Sequence, residues 1–465
     1  MDYREAEAKK TLDDDGGGDD RISALPDGLL CHILSFLHTR QAVATAILST
    51  RWKYLFTSLP DLDVDDSLLL RPGARINAQC FTNFVYRLLL LRKTPHINRF
   101  VLTCYTRWGN PHLNAWISSV VWRNAKELDI AVYVKEFGMV PSNDIFTCKT
   151  LVNLRLRGEY ILLDPISVCL PNVKVLHLSR LEFKDDDTIR RVFSGCPLLE
   201  ELVLSKCTLE SVQTLDISSH SLKRLEFCGY GGDYQIVLNA PVLEYLEVSD
   251  CVAGGYLVKD LKSLDSLVAA RLSVGLTKNQ KGGDSLRYGS YVTNLVNVIS
   301  GSIKFLRLSG QTLEAIDYSN CSLPAFCNLT LLELDVDFLH GWKLLPNLLQ
   351  SAPNLEVLDF FQVSFDVMNI LGKGFLNYTA DEVELLYHLL ERVPICLSQC
   401  LKEIVIREFH WEEGEIELLK YFLNCGKVLK ITIVSDILVP TDIRKRFLTF
   451  PNNSKTCQIV VERLR

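Results

Sequence analysis

The feature that most constrains the fold of this 465-residue chain is a hydrophobic triplet that recurs along its middle. In each copy two apolar residues flank one residue of any type, often with a leucine or valine three residues earlier. The copies begin at Phe100, Leu128, Leu154, Leu176, Leu202, Leu225, Leu246, Leu306, Leu332 and Leu358. Neighbouring copies begin 21 to 28 residues apart, except for one interval of 60 residues that a weaker copy at Ala270 divides. A period in the twenties predicts a stack of similar repeats.

The alternation of side chains along a β-strand explains the triplet. Its first and third residues point to one face of a sheet, and its middle residue points to the other face. One repeat cannot bury its apolar side alone, so neighbouring repeats stack into a parallel sheet backed by helices or irregular turns. The pattern is that of leucine-rich repeats. The sequence therefore predicts an α/β fold with a curved leucine-rich-repeat solenoid over residues 98–390.

The middle residues of the triplets are expected to line the concave face of this solenoid, with mixed charge and an acidic excess. Two interpretations stay open: the face binds a protein client, or it is a solvated sheet surface and the loops bind instead. The sequence Lys278–Gly283 predicts a loop insertion that is a second candidate for client contact. The candidate client-binding residues on the face are Arg155, His177, Glu226, Glu247, Arg307, Glu333 and Asp359.

A second constraint is the stretch Asp20–Leu59, which contains three short amphipathic patterns. Pro26 and Asp27 suit the first turn of a helix, because proline gives up only an unpaired amide and the carboxylate lies at the positive end of the helix dipole. This helix carries a main apolar line and a second line beside it: Leu30, Ile33, Leu34 and Leu37, then Leu29 and Phe36. A module this small gains only about 3–5 kcal/mol from its own core, so the spare apolar line predicts a partner.

Two further helices are predicted after the first. Thr39 can cap one of them, and Ser49 can cap the other. Their apolar residues are Ala42, Val43, Ala46 and Ile47 in the second helix, and Trp52, Leu55 and Phe56 in the third.

The whole stretch resembles the F-box in its plant form. The resemblance rests on Leu25-Pro26-Asp27, on Ile33 to Leu37, and on Leu48 to Trp52, while Thr50 stands where lysine or arginine is usual. It implies docking on the Skp adaptor of cullin-RING ubiquitin ligases, the SCF complexes. The alternative is a self-contained helical cap on the next domain. The implied adaptor-binding residues are Leu25, Pro26, Leu29, Leu30, Ile33, Leu34, Leu37, Val43, Leu48 and Trp52.

The flanking segments complete the predicted organisation. Residues 1–19 are acidic and nearly free of apolar side chains, which predicts a disordered tail before an F-box at residues 20–66. Residues 67–97 form a linking region with a helix at Asn77–Leu91. Residues 395–465 alternate strand and helix patterns and resemble the FBD domain of plant F-box proteins, although two more repeats would give the same pattern. Either way, this α/β segment is expected to close the end of the solenoid.

Composition excludes several classes of function. The net charge of −6 argues against nucleic-acid binding, which needs a basic surface. Fifteen cysteines occur singly, and Cys207 and Cys251 follow their triplets where leucine-rich repeats bury a residue that bonds to the turn. No secretory leader, membrane span, metal ligand set or cofactor motif is recognised. Reduced thiols predict a cytoplasmic or nuclear protein.

The favoured function is that of a non-catalytic substrate-recognition subunit of an SCF ubiquitin ligase. The F-box would bind the Skp-type adaptor, and through it cullin, while the solenoid holds an unidentified protein client near the ubiquitin-charged enzyme. The alternative is an interaction scaffold without a role in ubiquitination. An enzyme is disfavoured, since the chain has no nucleophile elbow or phosphate loop, and the Asp185–Asp187 run is expected at a solvated helix start.

Overall fold

The computed structural model describes residues 22, 24–67, 78–106, 108, 110–133, 141–230, 232, 234–251, 255–258, 264–276, 281, 285–336, 339–363, 393–409, 419–423, 428–435 and 457–463. The predicted tail at residues 1–19 and most of the predicted insertion at 278–283 lie outside these ranges.

A long parallel sheet organises the described residues. Its fifteen strands follow the order β1-β2-β3-β4-β5-β6-β8-β10-β12-β13-β14-β15-β16-β17-β18, and a smaller sheet has the order β11-β9-β7. The strands are β1 Asp61–Asp65, β2 Arg99–Cys104, β3 Glu127–Val132, β4 Asn153–Leu163, β5 Val175–Phe183, β6 Glu201–Ser205, β7 Thr214–Ser218, β8 Arg224–Cys228, β9 Gln235–Asn239, β10 Tyr245–Cys251, β11 Gly255–Val258, β12 Ala269–Gly275, β13 Phe305–Leu308, β14 Leu331–Val336, β15 Val357–Val363, β16 Glu403–Ile406, β17 Lys430–Ser435 and β18 Gln458–Arg463.

The predicted triplets all lie in the long sheet and align in register. Leu128 faces Leu154, Leu154 faces Leu176, and Leu176 faces Leu202 on successive strands. These inner side chains are buried, whereas the middle residues of the triplets are mostly half-exposed on the other face. The predicted α/β solenoid of parallel strands is therefore confirmed.

Hydrogen bonds outside the strands lock one turn of the chain to the next. The backbone N–H of Lys174 donates to the carbonyl of Val152, that of Glu200 donates to Lys174, and that of Lys223 donates to Glu200, each at 2.8 Å. Asparagine side chains add a second contact, because Asn172 Nδ2 donates to the Lys149 carbonyl at 2.7 Å. Such bonds add to the register that burial of the leucines already specifies between repeats.

Helices and irregular turns cover the inner side of the sheet. The α-helices are Asp27–Ser35, Thr39–Ala44, Ala78–Leu90, Asn110–Val121, Asn143–Phe146, Asp186–Ser194, Ser285–Ile299, Gly310–Ser319, Leu339–Ser351 and Ile395–Gln399, and Thr45–Ile47 and Trp52–Ser58 are 3-10 helices. The helix predicted at Asn77–Leu91 is confirmed as Ala78–Leu90, with Phe81, Val85 and Leu88 buried. Asp185 caps the helix Asp186–Ser194 by accepting from the Thr188 N–H, so the aspartate run lies at a helix start, as expected.

The N-terminal module continues directly into the solenoid. Residues 61–65, which the sequence assigned to the end of the F-box and an irregular link, form β1, and β1 pairs in parallel with β2. Asp66 follows this strand, is fully buried, and accepts hydrogen bonds from the backbone N–H groups of Tyr105 and Thr106 and from Trp108 Nε1, at 2.7, 3.0 and 2.7 Å.

Arg92 Nη2 donates to the Leu59 carbonyl nearby, and burial lowers the pKa of Arg92 to about 10, which leaves it charged at neutral pH. Because paired strands and buried hydrogen bonds cross this junction, the module cannot swing freely on the solenoid.

The C-terminal segment also continues the same sheet. Of the strand and helix patterns predicted within residues 395–465, three strands are present as β16, β17 and β18. β16 pairs with β15, β17 with β16, and β18 with β17, all in parallel. The segment therefore ends the solenoid by adding strands to it rather than by packing across it.

Several cysteines are structural, as the sequence predicts for Cys207. This residue is buried and its Sγ donates to the Leu178 carbonyl at 3.4 Å. Burial raises the pKa of the Cys207 thiol to about 11 and that of the Cys196 thiol to about 12. The side chain of Cys251 lies outside the described part of the structure. Buried thiols with raised pKa values are poor nucleophiles.

These thiols make alkylation a test of the fold. We expect Cys196 and Cys207 in the native protein to react with iodoacetamide at pH 8 at least about 100-fold more slowly than the exposed Cys169 and Cys327, because the thiolate is scarce and enclosed. Mass spectrometry after timed labelling measures the rates, and labelling in urea is the control, in which all four should react alike. Native labelling of Cys196 as fast as that of Cys169 would contradict the packing described above.

Candidate functional site

The N-terminal module exposes large apolar side chains on and just after its first helix and around the 3-10 turn that follows its second helix. We define the F-box apolar surface as Leu29, Ile33, Phe36, Leu37, Ile47 and Leu48. Their exposed fractions run from 39% for Leu37 to 88% for Ile47. Covering a half-exposed leucine or isoleucine contributes about 1–2 kcal/mol, so the surface offers a large driving force for association.

Burial inside the module sorts the predicted adaptor-binding residues into three groups. Pro26, Leu29, Ile33, Leu37 and Leu48 are exposed, and Leu25 and Val43 are partly buried. Leu30, Leu34 and Trp52 are buried in the chain's own core, and their role in adaptor binding stays a prediction. A helix that is apolar on two sides does not reveal which side faces inward, and here these three side chains support the exposed residues from below.

The local hydrogen bonds explain how the surface is held. Arg51 on the third segment donates to Asp27 Oδ1 at 2.9 Å and to the Leu25 carbonyl, so it ties the start of the first helix to the third segment. Thr39 does not cap the second helix as predicted, since His38 occupies the N-cap position and the Thr39 hydroxyl accepts from the Asp63 N–H at 2.7 Å. This bond joins the second helix to β1.

Ile47 belongs to this surface although it lies outside the second α-helix. The sequence placed Ile47 on the apolar side of that helix, but the α-helix ends at Ala44 and a 3-10 turn follows. With three residues per turn instead of 3.6, the 3-10 turn rotates Ile47 into solvent. Phe36, which the sequence placed on the second apolar line but not among the contacts, is 76% exposed.

The predicted client-binding residues share one row on the sheet face that points away from the core, which we call the open face. Register pairs Arg155 with His177, Glu226 with Glu247, and Glu333 with Asp359. Arg271 belongs to the same row, between Glu247 and Arg307. The sequence missed Arg271 because Ala270, in place of leucine, weakens the triplet around it.

Most charges in this row are already paired within the chain. Arg155 Nε donates to His177 Nδ1 at 3.2 Å, and His177 Nε2 lies 2.7 Å from Glu201 Oε1. Asp359, 6% exposed, accepts two hydrogen bonds from Arg407 at 3.0 and 2.7 Å. Arg155, His177 and Asp359 thus make hydrogen bonds within the chain. These three residues are therefore weaker candidates for client contact than the sequence implies.

Glu226 and Glu247 are also engaged on the open face. Glu226 accepts from Arg224, and Glu247 Oε2 accepts from the Tyr245 hydroxyl at 2.5 Å. Of the predicted client-binding residues, the structure brings Glu247 and Arg307 together at one cavity, with Arg271 between their strands. Glu333 lies beside that cavity, 3.6 Å from Arg307.

The described residues include no group of three or more histidine, cysteine, aspartate or glutamate side chains that could hold a metal ion. Within the same ranges, no helix is long and apolar enough to cross a membrane.

Family comparisons agree with this arrangement. The chain matches the model described as F-box domain over residues 22–63, the model described as FBD-associated F-box protein At5g56370, LRR repeats, over 113–263, and the model described as FBD over 379–434. These matches define the class as a protein with an F-box, leucine-rich repeats and an FBD domain.

Relatives from Arabidopsis thaliana are named as F-box/LRR-repeat or F-box/FBD/LRR-repeat proteins. F-box/LRR-repeat protein At4g14103 is 35% identical over 356 residues, which is 74% of this chain and 92% of the relative. Putative F-box/FBD/LRR-repeat protein At3g59240 is 34% identical over 87% of this chain and 81% of the relative. F-box/LRR-repeat protein At2g42730 is 31% identical over 95% of this chain and 98% of its own length. The chain belongs to the plant F-box/FBD/LRR family.

Proposed function

We propose that the chain is the substrate-recognition subunit of an SCF-type cullin-RING ubiquitin ligase. In this proposal the F-box apolar surface binds a Skp-type adaptor, and through it cullin, while the open face of the solenoid binds a protein client. The observation that carries the proposal is the exposure of six large apolar side chains on a module that its own solenoid leaves uncovered. Apolar surface of this extent is typical of interaction sites.

The junction between the module and the solenoid supports separate roles for them, adaptor binding by the module and client binding by the solenoid. A subunit of this kind supplies no reactive group; it raises the effective concentration of a client lysine near the ubiquitin thioester. That gain falls if the client can swing away from the enzyme. The pairing of β1 with β2 and the buried Asp66 contacts support a fixed geometry between the two binding surfaces.

The experiment is a binding titration of the full chain on an immobilised plant Skp-type adaptor, followed by reconstitution with cullin, RING protein and ubiquitin-conjugating enzyme. We expect saturable binding with a dissociation constant below about 1 μM, equivalent to about −8 kcal/mol. We also expect adaptor-dependent transfer of ubiquitin to the chain itself or to a bound protein. Absence of adaptor binding would refute the proposal. Binding without ubiquitin transfer would instead favour the scaffold without a ligase role.

A further inference from the structure

A cavity of about 260 Å³ opens on the sheet where β10, β12, β13 and β14 lie side by side. It is smaller than the roughly 300–1,000 Å³ typical of pockets for drug-sized ligands, and it suits one side chain of a larger molecule. The residues that line it with polar groups are Glu247, Ser249, Arg271, Ser273, Arg307, Ser309 and Asp335.

The two arginines of the cavity are loosely paired compared with arginines elsewhere on the sheet. Arg157 lies 2.7 Å from Asp129, and Arg407 lies 2.7 Å from Asp359. In contrast, Arg271 approaches Glu247 only to 4.0 Å and Arg307 approaches Glu333 only to 3.6 Å. These are distances for weak ion pairs, not for hydrogen bonds. Two guanidinium groups on adjacent strands therefore keep donors for a further acceptor.

Stacking holds the second guanidinium in place. Cζ of Arg307 lies 3.8 Å from the centre of the Phe361 ring. A ring over the face of a guanidinium leaves the N–H groups at its edge directed outward. Arg307 is thus positioned before any ligand arrives, which lowers the entropic cost of binding.

Two buried polar atoms at the cavity lack a hydrogen-bond partner within the described ranges. One is a donor, Arg271 Nε, and the other is an acceptor, Asp335 Oδ1. Burial raises the pKa of Asp335, while a hydrogen bond from the backbone of Gly310 and the charge of Arg307 act in the other direction. Buried polar groups are usually paired, so an unmet donor and an unmet acceptor in one cavity indicate a ligand that carries both complements.

We propose that this cavity binds a glutamate or aspartate side chain of an extended client peptide. The carboxylate accepts hydrogen bonds from Arg271 and Arg307, and a main-chain N–H of the same peptide donates to Asp335 Oδ1. The cavity thereby supplies the anchor position of the client. The role of the cavity as a client site rests on the proposed function. The binding of an acidic peptide by the cavity does not depend on that function.

The charges around the cavity favour a carboxylate over a phosphate. Glu247, Glu333 and Asp335 place three acidic groups beside the two arginines. A phosphoserine carries about 1.5 to 2 negative charges at neutral pH, so it meets more repulsion than a carboxylate does. A carboxylate and a phosphate both offer oxygen acceptors to the arginines, so the experiment compares the two groups directly.

The test uses three pools of bead-bound heptapeptides with random flanks and a fixed central residue: glutamate, glutamine or phosphoserine. Capture of the fluorescent full-length chain is measured on each pool. We expect the glutamate pool to capture about fivefold more protein than the glutamine pool, because charge-assisted hydrogen bonds are about twice as strong as neutral ones. Equal capture on these two pools would overturn the proposal. Stronger capture on phosphoserine than on glutamate would overturn the assignment to a carboxylate.

Variants locate the binding to this cavity. Arg271→Gln or Arg307→Gln is expected to reduce the glutamate preference to about onefold. Arg99→Gln, a matched change at a sheet arginine that approaches its nearest carboxylate, Glu127, only to 3.9 Å, is expected to leave the preference unchanged. Glu333→Gln removes the carboxylate that competes for Arg307, and it should raise glutamate capture about threefold. An increase cannot come from misfolding, so this variant keeps the test informative if the arginine variants are unstable. A glutamate preference that survives both arginine variants would refute the site.

The same protein preparations are tested on the immobilised adaptor. Arg271→Gln and Arg307→Gln should bind the adaptor like the wild type, since the cavity is remote from the F-box in the strand order. Absence of the glutamate preference in the wild type, with adaptor binding intact, would count against the cavity alone. Failure of the wild type to bind the adaptor, with the glutamate preference intact, would count against the proposed function alone.

Discussion

Replacing Asp66 by alanine is expected to lower the free energy of unfolding of the N-terminal part of the chain by about 3–5 kcal/mol. The carboxylate is fully buried and accepts hydrogen bonds from Tyr105, Thr106 and Trp108. The alanine leaves the buried Trp108 Nε1 donor and the part-buried N–H groups of Tyr105 and Thr106 without this acceptor. Urea unfolding followed by tryptophan fluorescence measures the loss, because Trp108 itself reports on the junction.

Asp65→Ala is the matched control for this prediction. Asp65 is the exposed neighbour of Asp66, and its carboxylate accepts hydrogen bonds only from Ser67 among the contacts described. We expect this variant to lose less than about 1 kcal/mol. Equal losses in the two variants would show that the buried contacts do not hold the module to the solenoid.

Replacing Ile33 or Ile47 by aspartate is expected to weaken adaptor binding by about 100-fold, which corresponds to about 2.8 kcal/mol. Either change removes an apolar contact and places a charge where the adaptor would exclude water. Because Ile47 is 88% exposed, Ile47→Asp should fold normally. The dissociation constants on the immobilised adaptor measure the effect.

Ile166→Asp is the control, since Ile166 is a similarly exposed isoleucine, at 81%, on the loop after β4. We expect its adaptor affinity to stay within about twofold of the wild type. A loss at Ile166 equal to that at Ile47 would indicate a general effect of surface charge. Undiminished binding of the Ile33 and Ile47 variants would place the interface elsewhere.

The repeats could be predicted from the sequence because their physics is local. Apolar residues at every second position identify each strand in the sequence. The repeated triplets then predict that these strands align in one sheet. β1 was missed because its five residues, Asp61–Asp65, hold only two apolar side chains, although they alternate in the same way. The strands of the smaller sheet were missed because they lie between the triplets that form the long sheet.

The candidate sites show where local patterns fail. Leu30 and Leu34 look like Leu29 and Ile33 in the sequence, and only the packing of the three F-box segments decides which of them face inward. The cavity depends on distances across four strands: whether Arg307 meets Glu333 at 2.7 or at 3.6 Å cannot be read from one strand. Such differences come from tertiary geometry, which decides which charges are left for a ligand.

The most direct test of the central claim is hydroxyl-radical footprinting of the full-length chain, alone and in complex with the adaptor. If the F-box apolar surface is the adaptor site, oxidation of Leu29, Ile33, Phe36 and Ile47 should fall severalfold in the complex, while oxidation of Ile166 stays constant. A bound adaptor that leaves these four side chains as reactive as in the free protein would contradict the account.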